Sequence, residues 1–455
     1  MEPNRTDTVF VNATVLDGTR GMEPRPHQAV AVHDGRIVRI ATVREGADPL
    51  AFADSLLPGA RVVDVAGGFL MPGLINLHVH LFGNGMPLSP SDVAALVDGD
   101  ETGLRDRLKT SALTQLASGV TTVRGAADPD SVDIWVRDQI RSGRFVGPRI
   151  IAAGNGVTVP GGHGAGLFAY VCDTPEAACA HIRDLAAQGA DVTKLLITGG
   201  VFDAEKVGEP GVLRMSPEMV EAACAESHRL GLPVMAHVES TEGLRVALEG
   251  GVDTIEHGAP MTPEIERLYL EGSGKQLPGR TPTVTCTISP ALPFVKLSGV
   301  QTHSTDVQKI NGEIVCAGII KSARRAMELG IPVGLGTDSS CPYVTQYDFW
   351  RELAYFAKYT QASNADALYA GTRGNAEILG LGELTGTIAE GYAADILVTD
   401  GNPLHDLRAL SEPEFAMAEG SLLEHPEIEH IPELDAELDR ILADDSPLPG
   451  LEDEN

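Results

Sequence analysis

Basic side chains are in short supply. The 455 residues hold 34 Lys and Arg against 64 Asp and Glu, a formal net charge of −30. Phosphate backbones are gripped by clustered Lys and Arg, so nucleic acid is excluded as a partner. The same charge is repelled by an anionic membrane surface, and most of it is read as a device for solubility. Cysteine is sparse as well. Cys172, Cys179, Cys224, Cys286, Cys316 and Cys341 form no C-x-x-C pair, which excludes a disulfide framework and leaves scattered small core residues. No apolar run approaches ~18 residues, so no membrane span is expected. Met1–Thr8 is polar and has no apolar core of a signal peptide, so a reducing cytoplasm is the expected location.

What the chain does have is enough apolar material for a large core: 43% of residues are hydrophobic, which excludes wholesale disorder. The length fits two or three ordinary domains or one large barrel with additions. Thr8–Val15 alternates as a half-buried strand does, and Ala29–His33 and Arg36–Ile40 flank an Asp34-Gly35 hairpin signal. Near the other end, Ala394–Thr399 and Phe415–Gly420 read as strands with turns. Residues 1–65 and 381–432 are therefore expected to build one small β-domain, a β-sandwich made from both chain ends.

Between them, residues 66–380 alternate strands and helices. Candidate strands are Leu74–His80, Thr121–Arg124, Arg149–Gly154, Val192–Thr198, Pro233–Val238, Thr254–His257, Thr283–Thr287 and Pro332–Gly336. Glu218–Leu230, Thr241–Glu249 and Glu313–Leu329 carry helical spacing. Eight such units predict a (β/α)8 TIM-type barrel. A doubly wound open sheet is the alternative, disfavoured because no Gly-x-Gly-x-x-Gly turn follows the first strand. Residues 433–455, rich in Asp and Glu, are expected to be a mobile acidic tail with at most one helical turn around Ala436–Leu442.

In barrel enzymes the active site lies at the C-terminal ends of the strands. The first strand ends in His78-Val79-His80, and residues i and i+2 of a strand share a face, so both imidazoles point one way. Neutral imidazoles side by side suit a divalent transition metal. Lys194 sits inside an apolar strand, where an unpaired ammonium is costly. His237, His257 and Asp338 end strands five, six and eight. Taken singly, each has a plain structural reading: a chance pair, a snorkelling lysine, a hydrogen-bonded core histidine, a helix cap. Six candidate ligands on five strands of one barrel point instead to a metal centre.

Pro72–His80, Lys194 ahead of Thr198-Gly-Gly-Val201, Ala236-His237, Ile255–Gly258, Leu335–Asp338, Gly386–Asp395 and Gly401–Leu404 together resemble the amidohydrolase superfamily. The likeness spans roughly residues 8–420. It is nearest the binuclear, imidazolonepropionase-related branch, which includes Xaa-Pro dipeptidases, ochratoxin-type amidases and phenylurea and thiocarbamate herbicide hydrolases. The resemblance implies two divalent metal ions, zinc by ligand type, with cobalt or manganese as substitutes. His78, His80 and Asp338 are then expected to hold one ion and His237 and His257 the other. Lys194 is expected to be carbamylated and to bridge them. The implied reaction is hydrolysis of an amide-type C–N bond by metal-bridging hydroxide, with Asp338 moving the proton. His163, in the loop Pro160–Gly164, is expected to orient substrate or stabilise the oxyanion. Homo-oligomeric assembly is also implied. A deaminase is disfavoured because such relatives lack the bridging lysine, and an inactive scaffold is disfavoured because no ligand is missing.

The substrate is a small molecule, and here the residues leave a choice. Peptidase-type relatives carry Tyr or His two residues after the strand-five histidine, a position that helps anchor a carboxylate. This chain has Glu239, which repels one, so a neutral or basic substrate is favoured over an Xaa-Pro dipeptidase or metallocarboxypeptidase substrate. Tyr343, Tyr347, Phe349 and Trp350 either line an apolar pocket, with Tyr343 touching substrate, or pack the following helix.

Overall fold

The computed structural model describes residues 6–44, 46–88, 92, 95, 96 and 101–451. Thr8–Val15 is the central strand of an eight-stranded sheet built from both chain ends. It pairs antiparallel with Arg25–His33, which turns back as Arg36–Thr42. Asp34 (φ 48°) and Gly35 (φ 71°) make that turn in the left-handed region, as a two-residue Asp-Gly hairpin requires. On its other edge Thr8–Val15 meets two strands in parallel. Residues 8–11 pair with Arg61–Asp64, and Thr14 and Val15 pair with Phe69–Pro72. Phe69–Pro72 leads in turn to Ile396–Thr399, Phe415–Ala418 and Ser421–Glu424, all antiparallel. Alternation buries both faces: Phe10, Val30, Leu70 and Ile396 fill one cluster, Val9, Val11 and Ala31 another. The sandwich expected from the two termini is present.

The middle of the chain is the TIM-type barrel, and each of the eight candidate strands overlaps an observed one. They run Leu74–Val79, Val120–Gly125, Arg149–Ile151, Thr193–Leu196, Val234–Val238, Thr254–His257, Thr283–Cys286 and Val333–Leu335. The first three form one parallel sheet and the last five another. Hydrogen bonds close both seams: Asp338 N donates to His78 O at 2.8 Å, and Asp191 N donates to Ala152 O at 2.8 Å. Two short strands, Gly156–Thr158 and Ala169–Val171, extend the second sheet and frame the loop that carries His163. The two domains are joined covalently at Gly73, where a Cβ would lie 2.2 Å from Thr121. They are also pinned by Arg149, which reaches Asp395 at 2.7 Å and Glu419 at 2.9 Å.

The expected acidic tail is corrected. Pro432–Ala443 is a 12-residue helix docked on the barrel. Leu434, Leu438 and Ile441 are buried, and Leu448 joins them in the main core cluster. Their i, i+4, i+7 spacing is an apolar stripe on one helix face, and the acids occupy the other side. Four acids are paired with barrel cations: Asp435 and Asp439 with Arg351 at 3.8 and 2.6 Å, Asp444 with Lys296 at 2.9 Å and Asp445 with Lys358 at 2.9 Å. Residues 1–5 and 452–455 lie outside the described residues.

Candidate metal centre

The strand ends place His78, His80, Lys194, His237, His257 and Asp338 around one mouth. One ligand atom each from His78, His257 and Asp338 lies within 4.8 Å of the others. His80 Nε2 is 3.2 Å and His78 Nε2 is 3.3 Å from Asp338 Oδ1. Lys194 Nζ is 3.3 Å from His78 Nε2. His257 and Asp338 hold left-handed backbone conformations, φ 69° and 58°, which aim residues from neighbouring chain turns at a common point.

Three of the imidazoles are anchored from behind. His78 Nδ1 donates to Glu256 Oε2 at 2.8 Å, His80 Nδ1 donates to Ala127 O at 2.5 Å, and His257 Nδ1 bonds Thr287 Oγ1 at 2.7 Å. A partner on Nδ1 fixes the ring and leaves Nε2 as the ligand atom. Glu256 is itself gripped by Arg124, at 2.8 and 3.0 Å, and by Thr254 at 2.8 Å. Burial opposes its ionisation, yet Arg124 and His78 bring its carboxyl down to about 2.

The electrostatics favour a cation. Burial pulls His80 below its ordinary value and His257 and His237 well below theirs, so these rings are neutral donors. Burial works against the Asp338 carboxylate too, but His78, His80 and His257 hold it well below the usual range. Burial lowers the Lys194 ammonium to about 8. Its side chain is 2% exposed, its hydrogen-bond neighbour is an imidazole, and no carboxylate touches it among the described residues. Neutral imidazoles and an ionised carboxylate are a donor set that fits divalent metal.

His237 stands apart from the tight group. Its ring lies 4.6 Å from that of His257, but its Nε2 donates to Gly199 O at 2.7 Å. His163 stacks on it, with centroids 4.4 Å apart, and hydrogen-bonds Asp203 through Nδ1. Gly200 makes room for that stack, since a Cβ there would lie 2.3 Å from His163 Nδ1. Glu239 reaches the same region, with Oε2 3.8 Å from His237 Nε2. Its side chain is 7% exposed, and Oε2 is buried with no hydrogen-bond partner. Burial, then Asp338 and Asp203, push that carboxyl well up.

The four aromatic residues named from the sequence make their contacts with other parts of the chain. Tyr347 pairs with the C-terminal helix, accepting from Ile431 N at 2.8 Å and donating to Asp435 at 3.2 Å. Phe349 and Trp350 are buried in the core, and Arg351 and Arg408 cover the Trp350 ring. Tyr343 is buried and gives its hydroxyl to Gln301 O at 3.3 Å. The aromatic wall beside the histidines is instead Phe168, 4.7 Å from His80, with Phe82 stacked 6.2 Å from it. Neither phenylalanine was singled out by the sequence. Nor were Asp203, whose loop has no periodic signal, and Arg124. The last was findable: a charge inside the apolar strand Val120–Gly125 is the same anomaly that exposes Lys194.

Known proteins share this architecture. A prolidase-like protein of Bifidobacterium longum is 36% identical, with a TM-score of 0.84 over 96% of this chain and 100% of that one. A Xaa-Pro dipeptidase crystallised with methionine in its active site has a TM-score of 0.78 at 24% identity, over 92% of this chain and 100% of its own. Ochratoxinase of Aspergillus niger is 25% identical over 370 residues, 76% of this chain and 73% of the enzyme. The amidohydrolase family model matches residues 69–423, so the chain belongs to the amidohydrolase family and is a hydrolase of C–N bonds.

Proposed function

We propose that this hydrolase cleaves an amide-type C–N bond (amide, urea or carbamate) in a small molecule with no carboxylate beside the scissile bond. His78, His80 and Asp338 would hold one divalent ion and His237 and His257 a second, with carbamylated Lys194 between them. Bound there, the metals would supply a nucleophilic hydroxide at neutral pH and polarise the carbonyl. Asp338, ionised and flanked by two imidazoles, takes the proton from the attacking water and returns it to the leaving nitrogen. His163, fixed by Asp203 and stacked on His237, orients the carbonyl oxygen. Phe168 and Phe82 offer an apolar wall for an aryl or alkyl group.

The observation that carries the substrate reading is Glu239. Asp338 and Asp203 already act on Glu239 strongly enough to push its carboxyl up, and a substrate carboxylate at that spot would add to the repulsion. The second reading is a prolidase, favoured by the 36% identity to the Bifidobacterium longum protein. Purified, metal-replete protein assayed on aryl amides, phenylureas and carbamates beside a dipeptide library separates the two. Turnover of the first group is expected. Release of proline from dipeptides with no turnover of the first group establishes the second reading.

A further inference from the structure

Strand seven of the barrel, Thr283–Cys286, ends one residue short of the group that anchors His257. Thr287 Oγ1 meets His257 Nδ1 at 2.7 Å, but ladder pairing with strand eight stops at Cys286 and Leu335. Past that point Ile288 N and Ser289 N both donate to one carboxylate, Glu352, at 2.8 and 2.7 Å, and the Ser289 hydroxyl donates to it as well. Glu352 lies on Phe349–Thr360, the helix that follows the Asp338 loop, and is fully buried. Among the described residues no cation pairs with it. An acid buried in this way carries a large desolvation cost, and a neutral acceptor could satisfy backbone N–H groups without it. What the carboxylate adds is strength, since charge-assisted hydrogen bonds are roughly twice as strong as neutral ones. A similar arrangement stands behind His80. Buried Asp128 accepts from Leu81 N at 2.8 Å and Phe82 N at 3.1 Å, one residue past the Ala127 carbonyl that holds the His80 ring. Asp133 fastens Ala153 and Gly154 likewise at a strand end without a ligand, so it is the adjoining anchor that gives the device a role at the metal.

We propose that Glu352 is a positioning residue for His257. It holds the turn Thr287–Ser289 so that the Thr287 hydroxyl meets Nδ1 and the ring presents Nε2 to the metal. The proposal rests on the reading of His257 as a ligand of the second ion. Among the described residues the hydrogen bonds to the Glu352 carboxylate all come from Ile288 and Ser289, so it acts on His257 through the adjoining Thr287. His257 needs such support, because its φ of 69° is one that a residue with a side chain keeps only where its surroundings hold it.

The test is zinc affinity, measured on metal-free protein by competition with a chromophoric chelator. Glu352→Gln keeps the shape and turns one accepting oxygen into a donor. It is expected to weaken zinc binding about 10–100-fold, as for other losses behind a ligand. Thr287→Val is expected to do the same, and Thr287→Ser, which keeps the hydroxyl, to stay near wild type. The double variant Glu352→Gln/Thr287→Val is decisive. Because the carboxylate acts through that hydroxyl, the double variant should bind zinc within about twofold of the weaker single one. Losses that multiply overturn the proposal, since they assign Glu352 to the fold at large. Should Glu352→Gln not fold, Ser289→Ala removes one donor, spares the carboxylate and takes its place in the cycle; wild-type zinc affinity there overturns the proposal. His257→Ala, measured beside them, separates the two readings. Zinc affinity unchanged in His257→Ala overturns the ligand assignment and the positioning with it. A loss in His257→Ala with wild-type affinity in Glu352→Gln overturns the positioning alone.

Discussion

His78 and His237 both end barrel strands at the same mouth, but they are held in opposite ways. His78 is locked from behind by Glu256, which is locked by Arg124, Thr254 and Thr285, all buried in the barrel interior. His237 is tied to a loop carbonyl, stacked under a loop histidine and approached by an acid with an unpaired oxygen. The inner ligand is fixed by a relay of buried side chains, and the outer one by contacts to loops.

Three substitutions break this contrast in decreasing order of effect on activity. Asp338 serves both halves, so Asp338→Asn is expected to cut kcat/KM by about 10³-fold or more, the range for losing a proton-transfer group. Steady-state kinetics at matched metal content checks it. Glu256→Gln frees the His78 ring and leaves Arg124 buried without its counter-ion. Metal affinity is expected to fall about 10–100-fold, as for other losses behind a ligand, measured by competition with a chelator. Stability should drop by about 3–5 kcal/mol at neutral pH, since a buried charge loses its partner. The pH dependence has a definite sign. The folded-state carboxyl at about 2 lies below its ordinary value of 4.5. Its stabilisation is therefore present above pH ~4.5 and lost as pH falls toward ~2. The gap between wild type and Glu256→Gln in denaturant midpoint should narrow over that window. A gap independent of pH would show that Glu256 acts by shape rather than charge.

The outer half is probed by Gly200→Ala. The new methyl would press on His163, which has nowhere to go without leaving His237 or Asp203. A fall in kcat of about tenfold is expected, in line with misplacing a positioning group, while metal content stays at the wild-type level. Loss of metal instead would mean the two halves are not separable.

The contrast also explains what could be read in the residues beforehand. The inner half was legible because its signals are local: a His-x-His on one strand face, a lysine in an apolar strand, acids and histidines where strands end. Period-two alternation does that work without knowledge of the fold. Arg124 obeyed the same logic, but its partner Glu256 is 132 residues away, and only the closed barrel shows them meeting. The outer half depends on loops. Asp203 and Phe168 carry no periodicity, and their positions follow from turns around Gly164, Gly199 and Gly200. Tyr347 was ambiguous for a related reason. What it touches is the C-terminal helix and the residue before it, more than 80 residues on, and counting acids in that segment concealed the apolar stripe that docks it.

That helix supplies the smallest expected effect on activity, and so a control for both halves. Leu438 is 3% exposed and packs in the main core cluster. Leu438→Ala should destabilise the protein by about 2–5 kcal/mol through the lost burial and the cavity left behind. Its side chain lies in that core cluster, and the helix is tied to the loop bearing Tyr343 and Tyr347 by the Tyr347–Asp435 hydrogen bond. Values of kcat and metal content are therefore expected within about twofold of wild type at a temperature where the variant is folded, since distant sites are nearly independent. A denaturant titration paired with kinetics checks both parts. Unchanged stability would mean that the helix rests on the barrel through its ion pairs at Asp439, Asp444 and Asp445. A large loss of kcat would make the helix part of the outer half, holding the Tyr343 loop in place for the substrate.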